Sequence, residues 1–201
     1  MIKVLIAEDQ AMFRSAIRRL LEMEGDMDVV AEVSRGDQVV AAALSHRPDV
    51  ALLDIEMPGL DGLTVASQLS IRFPECRSLI VTTFGRPGFL QRALQAGAVG
   101  FVLKDSPADA LAAAIRRCAA GDKVIDPGLA ASAMKLGPSP LSARERQVLV
   151  ATTSGASVAD IAATLHLSEG TVRNKISAAI SRLGARNRAD AVRIAGDNGW
   201  L

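Results

Sequence analysis

The sequence predicts a doubly wound, five-stranded parallel α/β sheet followed by a small all-α domain of four helices. Over roughly the first 120 residues, short β-branched runs alternate with longer segments of helical periodicity, the pattern of strands joined by crossover helices. Beyond residue 140 the β-branched runs stop and helical periodicity alone remains. Between the two lies Gly137-Pro138-Ser139-Pro140, a linker signal. The expected division is residues 1–121, a linker over 122–140, and residues 141–201.

The strands are expected at IKVLIA (2–7), MDVVAEV (27–33), DVALLD (49–54), SLIVTT (78–83) and VGFVLK (99–104). Helical periodicity between them is carried by Met12, Ile17, Leu20 and Leu21, then Val39, Val40 and Leu44, then Leu63, Val65, Leu69 and Ile71. A last helix of this part runs from about Pro107 to Ala120 and stops at Gly121. The C-terminal helices are expected at Ser142–Thr153, Ser157–Leu165, Ser168–Leu183 and Asn187–Asn198. Ser142 with Glu145 has capping-box spacing, and Ser157 with Asp160 a related one.

Composition narrows the function classes. The chain has 201 residues, 49% of them apolar, enough for two small cores and against disorder. No window reaches the roughly 18 apolar residues of a membrane span, and the N-terminus turns acidic after one short apolar run, unlike a signal peptide. A cytoplasmic protein without membrane insertion is expected. Cys76 and Cys118 stand alone, so they read as free thiols, and neither His46 nor His166 has a partner at metal-ligand spacing. Residues 1–137 carry 15 Lys/Arg against 17 Asp/Glu, and residues 138–201 carry 8 against 5. The basic excess at the C-terminal end is compatible with nucleic-acid binding.

Ligands of doubly wound sheets bind beyond the carboxyl ends of the strands, where the strand order reverses. Glu8 and Asp9 follow the first strand, Asp54 ends the third, Thr82 lies near the end of the fourth and Lys104 ends the fifth. Carboxylates brought together repel one another and suit a hard divalent cation such as Mg²⁺, which often binds beside a phosphate. A Lys ammonium and a Thr hydroxyl can contact phosphate oxygens, and a carboxylate there can accept a phosphoryl group.

Through Glu8-Asp9, Asp54 with Met57-Pro58-Gly59 and Asp61-Gly62, Thr82 and Lys104, residues 2–120 resemble the flavodoxin-like receiver domain of two-component response regulators. The resemblance implies Asp54 as phosphoacceptor and Thr82 and Lys104 as the residues that respond to the phosphoryl group. It also implies Mg²⁺ held by Asp9, Asp54 and the Glu56 backbone carbonyl, with Glu8 acting through water. Phe101, three residues before Lys104, matches an aromatic that rotates inward on activation. Glu56 and Phe84 depart from the commonest pattern, and both would flank the path of water to the phosphoryl group. The Phe84 ring is expected to slow hydrolysis.

In the C-terminal part, two short helices flank Leu165-His166-Leu167, with the second opening at Ser168, as in a helix-turn-helix. Leu141-Ser142, Arg144-Glu145, Asp160-Ile161-Ala162, Gly170-Thr171-Val172-Arg173 and Arg182-Leu183-Gly184 are similar to the DNA-binding domain of the NarL/FixJ (LuxR-type) regulators. Val172, Ile176, Ile180 and Leu183 form the core-facing stripe of the recognition helix. Arg173, Asn174 and Ser177 are expected in the major groove, and Thr171, Lys175 and Arg182 on phosphates. Lys175 stands where many relatives carry an aromatic or His.

Within the family, AEDQ (7–10), DIEMPG (54–59), TTF (82–84) with RPG (86–88), and LKDSP (103–107) resemble the DesR branch. The family implies a sensor histidine kinase, promoter DNA, a homodimer when phosphorylated, and RNA polymerase as a further partner. Phosphorylation of Asp54 would promote dimerisation and DNA binding, and the chain would catalyse only its own phosphorylation and dephosphorylation. A phosphatase with an aspartyl nucleophile is the enzymatic alternative, but Asp54 is followed by Ile55-Glu56, without a second Asp two residues on as acid/base. A domain serving only for dimerisation is the other, and the intact set Asp9, Asp54, Thr82 and Lys104 argues against it.

Overall fold

Alternating apolar runs become strands and the helical stretches become crossovers, in the order β1 (Ile2–Ala7), α1 (Ala11–Met23), β2 (Met27–Val33), α2 (Gly36–His46), β3 (Val50–Leu53), α3 (Gly62–Arg72), β4 (Arg77–Thr82), α4 (Pro87–Gln95), β5 (Gly100–Leu103), α5 (Ala108–Ala119) and β6 (Val124–Ile125). Four more helices follow, α6 (Ala143–Thr152), α7 (Val158–Leu165), α8 (Glu169–Leu183) and α9 (Arg188–Asp197). The structure, a computed structural model, describes residues 1–83, 85, 87–125, 129–131 and 138–201. The chain divides into two compact units, Met1–Gly85 with Leu90–Ala130, and Arg86–Phe89 with Ala131–Leu201.

All strand pairings are parallel, in the order β2-β1-β3-β4-β5-β6. The sheet grows from β1 to β2 on one side and from β3 onward on the other, so the reversal lies between β1 and β3. There the register pairs Ala7 with Leu53, bringing the carboxyl ends of these two strands side by side.

Five strands were expected and the described residues form six: Val124–Ile125 pairs with Gly100 and Phe101 at the edge of the sheet. It falls in the stretch read as linker. A two-residue strand has no periodicity to read, and only the exposed backbone edge of β5 supplies its partners.

Successive strand residues face opposite sides of the sheet. On one side Val4, Ile6, Val50, Leu52, Leu79 and Val81 pack with Ile17 and Leu21 of α1 and Leu111, Ile115 and Cys118 of α5. Leu5, Ala51, Leu53 and Ile80 are buried too, as are Val39, Val40 and Ala43 of α2 and Leu63, Val65, Ala66 and Leu69 of α3. Each buried Val, Leu or Ile side chain among them contributes on the order of 2 kcal/mol by leaving water.

Three apolar positions depart from the expected helix faces. Met12 is 87% exposed and Ile71 78%, while Leu44 is 45% exposed. The inward face of α1 runs through Phe13, Ile17 and Leu21, spaced by four, which places Met12 off it. Both cysteines are buried free thiols, and burial pushes their thiol pKa values up, to about 12 for Cys76 and about 11 for Cys118.

In the second unit α8 serves two clusters. Its first half contributes Val172 and Ile176 to a cluster with Val148, Ile161 and Ala162. Its second half contributes Ala179, Ile180 and Leu183 to one with Leu141, Leu149, Ala191, Ala195 and Trp200. Both expected caps form full capping boxes, Ser142 with Glu145 and Ser157 with Asp160. At α9, Asn187 caps the helix by accepting from the Asp190 amide, and the nearly buried Asp190 carboxylate accepts from the Arg186 backbone and side chain and from Arg193.

These hydrogen bonds, led by that from the Arg186 side chain, hold the Asp190 carboxyl well below the usual carboxylate range. A carboxyl depressed on folding contributes stability that is complete above its unfolded pKa of about 3.9 and is lost as pH falls through the folded value. Asp190→Asn is therefore expected to lower the melting temperature at neutral pH, with the deficit constant down to about pH 5 and shrinking on further acidification. Calorimetric melts of both chains between neutral and acid pH check this.

Candidate functional site

Four strand ends meet where the sheet order reverses. The Asp54 amide donates to the Ala7 carbonyl at 3.0 Å, tying the end of β3 to the end of β1, and the Lys104 amide donates to the Thr82 carbonyl at 2.8 Å, tying β5 to β4. Carboxylate oxygens of Glu8, Asp9 and Asp54 thereby lie within 4.8 Å of one another. Lys104 reaches into them, with Nζ 2.7 Å from Glu8 Oε2 and 3.0 Å from Asp54 Oδ2.

Glu8, Asp54 and Lys104 are nearly buried, whereas Asp9 is exposed. Burial raises the Asp54 carboxyl above its ordinary range, against the hydrogen bond from Lys104 and the backbone amides of Ile55 and Glu56. Burial raises Glu8 as well, aided by the neighbouring Asp54 charge and opposed by Lys104. For Lys104, burial favours the neutral form, but its bonds to Glu8 and Asp54 outweigh that and raise its pKa. Three carboxylates against one ammonium leave negative charge in excess, and hard oxygen donors at this spacing fit a divalent cation.

The loop after Asp54 is shaped by two glycines. A Cβ on Gly62 would sit 2.0 Å from the Asp54 carbonyl oxygen, so only glycine lets α3 start against the end of β3. Gly59 has φ +84, the left-handed region, and a Cβ there would also press on the Asp37 carboxylate at 2.7 Å. Asp61 between them caps α3, accepting from the Thr64 amide and hydroxyl. Its place in the sequence motif thus has a direct local cause.

Of the other expected residues, Thr82 is buried at 1% exposure beside the cluster's strand ends, and the Glu56 side chain is exposed. Phe101 is buried, opposite Ile80 on β4 and Ile125 on β6. Phe84 lies outside the described residues. Two neighbours of the site went unread in the sequence: Arg14 donates to the Glu8 carbonyl, and Lys104 Nζ lies over the Phe13 ring at 4.7 Å from its centroid. The spacing of Phe13 and Arg14 after Asp9, one helical turn on, is the signal that would have pointed to them.

The helix-turn-helix is formed by α7 and α8. His166 ends α7 in the left-handed region at φ 53, and the Leu167 amide returns to the Ala162 carbonyl. Ser168 then caps α8 by accepting from the Thr171 amide. The stripe from Val172 to Leu183 faces the clusters, leaving Arg173, Asn174 and Ser177 exposed together on the other side. Arg173 pairs with Glu169 at 2.8 Å, Thr171 Oγ1 lies 2.8 Å from Ser168 Oγ, and Lys175 is half-buried. Arg182 donates to the Pro140 carbonyl at 3.0 Å, with Nε 3.6 Å from Glu145 Oε1.

Comparison with known proteins agrees with both halves. Residues 4–116 match the response regulator receiver domain, and residues 139–195 match the bacterial regulatory proteins of the luxR family. Over all of its length the chain is 43% identical to the uncharacterized transcriptional regulatory protein YvfU and 40% identical to the transcriptional regulatory protein DesR, both from Bacillus subtilis and both covered completely. It also resembles the solved structure of two RcsB dimers bound to two parallel DNAs, with TM-score 0.68, 25% identity and 98% of each chain covered. No described helix is long and apolar enough to cross a membrane. The chain is a regulatory protein and belongs to the two-component response regulators of the NarL/FixJ type, with a receiver domain followed by a LuxR-type helix-turn-helix.

Proposed function

We propose that a sensor histidine kinase phosphorylates this regulator on Asp54, and that phosphorylation promotes a homodimer whose two helix-turn-helix modules bind promoter DNA. The receiver would span residues 1–121, a linker residues 122–140, and the DNA-binding domain residues 141–201. The observation that carries the reading is the meeting of Glu8, Asp9 and Asp54 within 4.8 Å, with Lys104 on Asp54, at the sheet's reversal point.

Asp9, Asp54 and the Glu56 carbonyl would hold Mg²⁺, with Glu8 reaching it through water; the bound ion supplies positive charge to the phosphoryl oxygens. An Asp54 carboxylate oxygen forms the bond to phosphorus while the bond to the donor's leaving group breaks, and the leaving group takes the electron pair. Lys104, held against Asp54, moves onto a phosphoryl oxygen, and the Thr82 hydroxyl follows it. Phe101 senses that movement. Dimerisation is supported by the RcsB dimers on DNA, and promoter binding would place the regulator in the cytoplasm beside RNA polymerase.

On α8, Arg173, Asn174 and Ser177 are the base-reading set, exposed on one side. Thr171, Lys175 and Arg182 are the phosphate set, and Arg182 reaches it from its bond to the Pro140 carbonyl.

The first test incubates the chain with Mg²⁺ and acetyl phosphate and follows its intact mass. The wild type is expected to gain one phosphoryl group and Asp54→Asn none; uptake by Asp54→Asn at the wild-type rate overturns the assignment. The second measures promoter binding against salt. Arg173→Ala is expected to cost about 1–3 kcal/mol and to relax base preference at one position, whereas Lys175→Ala weakens binding uniformly and lowers the salt slope by about one.

A further inference from the structure

Phe13 has no part in the assignments above, yet its ring meets the most constrained charge of the site. It is the third residue of α1, half-buried, and packs on the cluster between the sheet and helices α1 and α5. Lys104 Nζ sits over the ring face, 4.7 Å from its centroid, while holding Glu8 and Asp54 on its other contacts. The Lys104 side chain is only 6% exposed. An aromatic face is the negative pole of the ring and attracts an ammonium, most strongly where water is excluded.

Beside this contact lies a cavity of about 190 Å³, lined by Phe13, Ile17, Leu20, Val102, Lys104 and Leu111. The inference rests on Asp54 being the phosphoacceptor. When Asp54 attacks a phosphodonor, the Lys104–Asp54 pair must break so that the ammonium meets the phosphoryl group. A flexible four-carbon stem then loses one anchor next to an apolar space into which it can withdraw. We propose that Phe13 is a positioning residue for phosphoryl transfer, its ring face holding the Lys104 ammonium at the end of β3 while the Asp54 pair is broken. With acetyl phosphate, an Asp54 oxygen bonds to phosphorus, the bond from phosphorus to the bridging oxygen breaks, and acetate leaves with the electron pair. No proton is transferred. Phe13 acts on this step only through Lys104.

A ring that works by its charge distribution differs from one that works by its shape. Phe13 is replaced in the full chain by mono-, di- and trifluorophenylalanine, which nearly keep the shape while draining the ring face, and by Leu and Tyr. The rate of phosphoryl gain on Asp54 is read by intact mass with Mg²⁺ and acetyl phosphate. Each added fluorine is expected to slow the reaction, to about threefold in the trifluoro chain; Phe13→Leu slows it about fivefold and Phe13→Tyr retains the wild-type rate. Matched melting temperatures across the fluorinated set exclude a folding cause. Equal rates across that set overturn the positioning role, whether or not Phe13→Leu is slow, because shape then suffices. A wild-type chain that gains no phosphoryl group overturns instead the underlying reading of Asp54.

Discussion

The receiver is organised around one ammonium that must satisfy two buried carboxylates. Lys104 bridges Glu8 and Asp54 at the ends of three strands, in direct contact with both carboxylates. Removing ions from water costs several kcal/mol each, and only close contacts and backbone amides offset the cost. Around Asp54 the offset comes from Lys104 and from the Ile55 and Glu56 amides, yet burial still wins and its carboxyl is raised. Such a cluster is held together by partial satisfaction: each carboxylate shares one ammonium, and burial still disfavours its charge.

That constraint reaches into the surrounding loops. The backbone after β3 must turn within a few residues so that α3 starts against the strand end, where Gly59 adopts positive φ and a Cβ on Gly62 would strike the Asp54 carbonyl. Asp61 closes the same turn by capping α3. On the opposite flank α1 presents Phe13 to Lys104 and Arg14 to the Glu8 carbonyl, so its first turn borders the charged cluster and the apolar core alike.

The DNA-binding unit solves a different problem with a single helix. α8 must bury enough of itself to be held rigidly while leaving a face free, and it does so by spanning two small clusters along one stripe. Capping boxes on α6 and α7 and the Asp190 network at α9 fix the helices against which it lies. Arg173, Asn174 and Ser177 owe their mutual arrangement to the regular geometry of α8, and the supporting helices set which face of it stays exposed.

Much of this was legible in the residues. Glu8, Asp9, Asp54, Thr82 and Lys104 announce themselves because each ends a strand of strong β character, and parallel topology sends all strand ends to one edge. The capping signals were equally plain because they depend on contacts within a few residues, and the Val172 stripe because its helical period is read along one segment. Met12 was counted in the helical periodicity of α1 and proved exposed, because several helix phases fit so short an apolar pattern and only packing against the sheet selects the one through Phe13, Ile17 and Leu21. The sixth strand was missed because its pairing with Gly100 and Phe101 is wholly non-local. The sequence by itself determined five of the six strands, the parallel sheet with helices between them, and which residue types stand at the strand ends, all consequences of local periodicity and residue type. Tertiary structure alone decided that Lys104 bridges Glu8 and Asp54 against the face of Phe13, because those contacts join residues far apart in the chain and exist only once the strands are in register.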